Sequence, residues 1–171
     1  MGLFSKLFGK KDTNNKLPAV NPPNTTGAPR AISYDPSLVD TLKRDHGDLV
    51  GQYQRLGQLQ QLGRYNDIRG ELVNFKTRFE AHILTENVRF YTYLEQSLMN
   101  DGHNAELMRD FRREMNTIAR GVVTFVKKYQ AAEFTVAERE QFDQDYQAVG
   151  GLLSQRIERE ESSLYPLYRL D

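Results

Sequence analysis

The chain has 171 residues, 23 Lys and Arg against 23 Asp and Glu, and no cysteine. That length suits one domain with its own core, and zero net charge removes the general electrostatic reason to coat nucleic acid. The missing thiols exclude disulfides, zinc ribbons, thiolate iron–sulfur sites and a cysteine nucleophile, so any metal must be held by His, Asp, Glu or Tyr. Residues 1–11 read MGLFSKLFGKK. Leu3, Phe4, Leu7 and Phe8 fall at helical spacing, and Lys6, Lys10 and Lys11 are unopposed by any acid. This short basic amphipathic segment suits contact with an anionic membrane surface or with a partner protein. Residues 12–35 hold Pro18, Pro22, Pro23 and Pro29 among Asn, Thr and Gly. Such a composition buries no core and predicts a disordered, flexible linker. No apolar run approaches the ~18 residues that span a bilayer, and no secretory pattern opens the chain. The expected location is the cytoplasm, with peripheral contact at the inner membrane face open to residues 1–11.

The remainder, residues 36–171, predicts helices. Pro36 after Asp35 suits a first helical turn, and no other proline occurs before Pro166. A first apolar stripe runs Leu38, Leu42, Leu49, Tyr53, Leu56 and stops near Gly63. A second runs Ile68, Leu72, Phe75, Phe79, Phe90, Tyr93 and ends before Asn100-Asp101-Gly102. A third runs Leu107, Phe111, Met115, Ile118, Val122, Phe125, Tyr129. The fourth opens with a capping box, Thr135 to Glu138, and continues through Phe142, Tyr146, Val149, Leu153, Leu164 and Leu167. These are the three-and-four spacings of helix faces. Four amphipathic helices on short loops predict an all-α, up-down-up-down four-helix bundle.

Gaps in the stripes carry the chemistry. His46 falls between Leu42 and Leu49. His82 follows Phe79 by three, and Glu86 follows His82 by four. Arg156 and Glu160 interrupt the fourth stripe after Leu153. Counted from the shared end of the bundle at ~1.5 Å per residue, His46, Glu86, Met115, Arg156 and Glu160 fall in one layer. One His-x-x-x-Glu pair alone is ordinary helix decoration. Several ionisable groups at one depth are not, because each would cost several kcal/mol to bury unpaired. They should meet each other or a metal. Imidazole with carboxylate suits iron, manganese or zinc.

These residues resemble the hemerythrin-like, or HHE cation-binding, family. The resemblance covers roughly residues 36–170. It rests on Leu42-Lys-Arg-Asp-His46, on Phe79-Glu-Ala-His82-Ile-Leu-Thr-Glu86, and most specifically on Arg156-Ile-Glu-Arg-Glu160-Glu161-Ser-Ser-Leu164-Tyr165-Pro166. It implies a hemerythrin-like bundle holding non-haem iron, with members that bind or sense oxygen, nitric oxide or iron. His46, His82, Glu86 and Glu160 match ligand positions, and Glu161 joins them as a metal ligand if the helix rotates slightly. Two family histidines are missing, since Arg156 and Met115 stand in their places. His103 is no substitute, because it is read as part of the Asn100–Asn104 turn.

Two readings follow. In one, the domain binds iron, mononuclear or dinuclear, and senses oxygen, nitric oxide or redox state. In the other, it is metal-free: Arg156 forks between Glu86 and Glu160, and the bundle serves as a regulatory or interaction module for a protein or membrane. No catalytic residue is assigned, because buried carboxylates inside a closed bundle lack a cleft.

Overall fold

The computed structural model describes residues 31–170. The basic segment 1–11 and the linker up to residue 30 lie outside the described residues. Four helical rods carry the described chain, with no strand among them. The first rod is α1 (Leu38–Gln61). The second begins as α2 (Tyr65–Thr85), passes through a π-helical turn (Glu86–Tyr91) and ends as α3 (Thr92–Ser97). The third is α4 (Gly102–Gln130). The fourth is α5 (Val136–Arg159), followed by a second π turn (Glu160–Leu164) and a 3-10 turn (Tyr165–Leu167).

Local chemistry sets the rod ends. Gly63 links α1 to α2 at φ 68°, in the left-handed region that glycine enters freely. Asp101 accepts the Asn104 backbone N–H at 3.1 Å and so starts α4. Thr135 and Glu138 form the expected capping box at the start of α5: Thr135 Oγ1 accepts from Glu138 N–H, and Glu138 Oε2 accepts from Thr135 N–H at 2.8 Å. Just before it, Phe134 sits at φ 56°, a costly conformation for a bulky residue. Burial of its ring against Phe142, Tyr129 and Tyr65 offsets that cost.

The rods form an antiparallel ring, legible in their cross-contacts. Asp35 meets Arg89, Asp48 meets Arg78 and Arg55 meets Glu71 between the first and second rods. Glu95 meets Arg112 between the second and third. Glu114 meets Arg159 and Lys128 meets Asp145 between the third and fourth. Tyr53 stacks on Tyr146, centroids 4.7 Å apart, between the first and fourth. That stack needs a glycine, because a Cβ at Gly150 would stand 2.9 Å from the Tyr53 ring.

The apolar core is divided in two. One cluster, from Leu49 and Phe75 to Phe125 and Phe142, fills the end where α1 turns into α2. The other, built on Leu38, Leu42, Phe90, Phe111, Leu164 and Tyr168, fills the opposite end. The polar layer lies between them, as the interrupted stripes require. Two details differ from the sequence reading. Met108 rather than Leu107 is buried on α4, and His103 belongs to the first turn of α4, where it is exposed. Residues 31–35, grouped by composition with the linker, lie against the second cluster: Ile32 N–H donates to Gln96, Asp35 N–H donates to Tyr168 and Tyr34 stacks on Tyr168.

Replacing Thr135 with Ala leaves the first-turn N–H of Glu138 without its side-chain acceptor. Thr135→Ala should therefore lower unfolding free energy by about 1 kcal/mol, read as a reduced urea midpoint at unchanged slope.

Candidate metal centre

α1 brings His46 into the layer, the last turn of α2 brings His82, and the last turn of α5 brings Arg156. Glu86 and Glu160 are the first residues of the two π turns. All five side chains are only 1–3% exposed, so each must find its charge or hydrogen-bond partner inside the protein. A π turn closes its hydrogen bonds one residue later than an α turn. It therefore swings the residue five positions on toward the face of the first. Here those residues are Tyr91, five after Glu86, and Tyr165, five after Glu160. Both rings are buried, and both phenols enter the layer.

The contacts are specific. Tyr165 Oη donates to Glu86 Oε1 at 2.8 Å and lies 3.1 Å from His46 Nε2. His46 Nε2 also lies 3.3 Å from Glu160 Oε2, and His46 Nδ1 meets Glu161 Oε1 at 2.8 Å. His82 Nε2 stands 3.8 Å from Glu86 Oε1. Arg156 Nε donates to Glu160 Oε1 at 2.8 Å, and Arg156 Nη2 donates to Tyr91 Oη at 3.0 Å. The Arg156 guanidinium lies over the Phe111 ring. The expected fork between Glu86 and Glu160 is not made. Arg156 spans Glu160 and Tyr91, and Tyr165 holds Glu86 instead.

The electrostatics show a layer under strain. Burial, then the charge of Glu160, pushes the Glu86 carboxyl up to about 8. Burial, then the neighbouring His46, pushes His82 down to about 4. Burial also opposes charge on His46, but its hydrogen bonds to Glu160 and Glu161 outweigh burial and raise its pKa above the ordinary value. Glu86 Oε2 is buried and accepts no hydrogen bond, and Glu160 Oε2 has only the 3.3 Å approach of His46 Nε2. Under-satisfied carboxylate oxygens in a buried layer are places where a water or a cation would be accommodated.

The donor set fits one. One ligand atom each from His46, His82, Glu86 and Glu160 lies within 4.8 Å of the others. Bonds of about 2.1 Å to an ion place its ligands about 3.0–4.2 Å apart, so closure by well under an ångström suffices. Glu161 is half-exposed and faces Nδ1 of His46, on the far side of the ring from the cluster. That is the position of a carboxylate that orients a ligating histidine. Met115 and Arg156 stand on the remaining side of the layer and bring no imidazole.

The bundle is less closed than the sequence reading supposed. A cavity of about 320 Å³ lies beside the layer, lined by Leu49, Tyr53, Phe75, Phe79, Met115 and Leu153 and reaching His46, His82, Arg156 and Glu160. Exposed Gln54, Gln147 and Gly151 also line it, so it communicates with the surface. The stacked rings of Tyr53 and Tyr146 form part of its wall.

Tyr91 and Tyr165 escaped the sequence reading because a straight α-helix carries residue i+5 away from the face of residue i. One signal does mark them: His82-x3-Glu86-x4-Tyr91 is echoed by Arg156-x3-Glu160-x4-Tyr165.

Comparison with curated proteins and with solved structures gives no match. The family model described as the hemerythrin HHE cation-binding domain matches residues 37–168, which includes every residue of the layer. The four-helix ring, the buried His and Glu cluster and that match agree, and the chain belongs to the hemerythrin HHE cation-binding domain family.

Proposed function

We propose that the protein holds a single non-haem iron ion through His46, His82, Glu86 and Glu160, and works as a sensor of oxygen, nitric oxide or redox state rather than as an enzyme. The observation that carries this reading is the convergence of four buried ligand atoms, with Glu86 Oε2 left without a hydrogen bond and Glu160 Oε2 met only by His46 at 3.3 Å. When bound, iron would supply a redox-active Lewis acid for a small exogenous ligand. The chain's own residues do the rest. Glu161 orients His46, Tyr165 holds Glu86, and Arg156 holds Glu160. The cavity along Leu49, Phe79 and Leu153 offers a path for a small apolar molecule.

One ion rather than two follows from Arg156. Its guanidinium occupies the half of the layer where the echoed motif would otherwise repeat a histidine. It already neutralises one oxygen of Glu160. A second cation there would meet a fixed positive charge and no imidazole. The same contact favours a second reading, a metal-free regulatory bundle in which Arg156 is the permanent cation. For either, we propose that the protein works in the cytoplasm and that residues 1–11 make the contact with a membrane surface or partner protein. Among the described residues no helix is long and apolar enough to cross a membrane.

The test is elemental analysis of anaerobically purified protein, with melting curves in added Fe(II), Mn(II) or Zn(II). The expected outcome is one equivalent of metal, a raised melting temperature reversed by chelator, and loss of both in His82→Ala. No uptake and no shift would leave the metal-free reading standing.

Metal must displace protons here. Glu86, pushed up to about 8, is protonated in much of the metal-free protein at neutral pH, and His46 holds its proton more tightly than an ordinary imidazole. Ligation needs them deprotonated. Uptake in weak buffer should release protons to an indicator dye, and apparent affinity should rise from about pH 6 to about pH 8.

Arg156→Ala should cost the metal-free protein about 3–5 kcal/mol, because Glu160 is left buried without its cation. Chemical denaturation in the presence of chelator measures it.

A further inference from the structure

The phenol of Tyr165 touches two of the four candidate ligands at once. Its oxygen lies 2.8 Å from Glu86 Oε1 and 3.1 Å from His46 Nε2. Neighbouring ligands on one ion, each bonded at about 2.1 Å, lie about 3.0 Å apart. Both distances match that edge. The spacing therefore suits a group sharing a metal with His46 and Glu86 as well as it suits a hydrogen bond.

We propose that Tyr165 is a fifth protein ligand, its phenolate oxygen bound directly to a ferric ion held by His46, His82, Glu86 and Glu160. This rests on the single-ion reading above and names the oxidation state the site prefers. Charge balance supports it. Two carboxylates offset by Arg156 would leave a buried ferric ion with two uncompensated positive charges. A phenolate removes one, and Glu161 on His46 Nδ1 faces the other. A hard, anionic oxygen donor matches a small trivalent cation better than a divalent one. Tyr91 cannot serve in its place, because its oxygen is taken by Arg156 Nη2 on the other side of the layer.

The chemistry balances without electron transfer. Iron enters already ferric, the phenolic O–H bond breaks as the O–Fe bond forms, and the proton leaves to solvent. Glu86, its present acceptor, cannot keep it, being a ligand itself. The rest of the ring is already anchored: it stacks on His46 at 5.6 Å and packs edge-on against Phe90. Tyr165→Phe thus removes the oxygen while keeping the packing.

The full chain, Tyr165→Phe and Tyr91→Phe are each loaded with one equivalent of ferric nitrilotriacetate. Bound iron is measured by elemental analysis, and visible absorption and resonance Raman spectra are recorded. The proposal expects a phenolate-to-iron charge-transfer band with enhanced tyrosinate ring modes in wild type. Tyr91→Phe should keep the band, and Tyr165→Phe should lose it while still holding iron. Iron-loaded wild type without tyrosinate modes, or a band that survives in Tyr165→Phe, would overturn Tyr165 as ligand and leave the metal site intact. Failure of wild type to take up any of the tested metals would instead sink the metal reading, and this proposal with it.

Discussion

Everything in this bundle depends on burying five ionisable groups between two apolar clusters. Removing a charge from water costs several kcal/mol after relaxation, and His46, His82, Glu86, Arg156 and Glu160 are all nearly inaccessible. The cost is tolerable only because each group lies within reach of another. Arg156 and Glu160 neutralise each other, His46 is bracketed by Glu160, Glu161 and Tyr165, and Glu86 takes a phenolic hydrogen bond. The set remains incomplete: Glu86 Oε2 accepts no hydrogen bond, and Glu160 Oε2 has only His46 Nε2 at 3.3 Å. The apolar clusters above and below supply the folding energy that lets such a layer persist.

The layer is lopsided, and that is its main chemical property. Imidazoles, both ligand carboxylates and Tyr165 gather toward α1 and α2. Arg156, Met115 and Tyr91 fill the opposite half. In a symmetric arrangement the two halves would compete equally for cations. Here a permanent guanidinium already holds one half, and it does so with hydrogen bonds to Glu160 and Tyr91 rather than as a loose counter-charge.

Much of this was legible in the sequence. The four helices were readable because the stripes are long, proline-free and bounded by Gly63, Asp101 and the Thr135–Glu138 box. His46, His82, Glu86, Arg156 and Glu160 stood out because each breaks a stripe at one depth, and helical rise is regular enough for depth to be counted. What stayed hidden were departures from regularity. Tyr91 and Tyr165 reach the layer only through π turns, which no α-helical count allows. The cavity lies beside the Tyr53–Tyr146 stack, whose packing against Gly150 no helical count shows. The partners of Arg156 were not countable either, because Tyr91 and Tyr165 bring the phenols that bond Arg156 and Glu86.

The two π turns have a further consequence. Each adds one residue to an otherwise α-helical rod, so the faces on either side of it are out of phase. Phe79 and His82 answer to one phase, Phe90 and Leu94 to the next, and both nonetheless point inward. Chain length between His82 and Tyr91, and between Arg156 and Tyr165, is therefore as tightly constrained as side-chain identity. A one-residue deletion in either stretch would restore an ideal helix while rotating that rod's share of the second apolar cluster out of the core. In these two stretches a more regular helix would be a worse one.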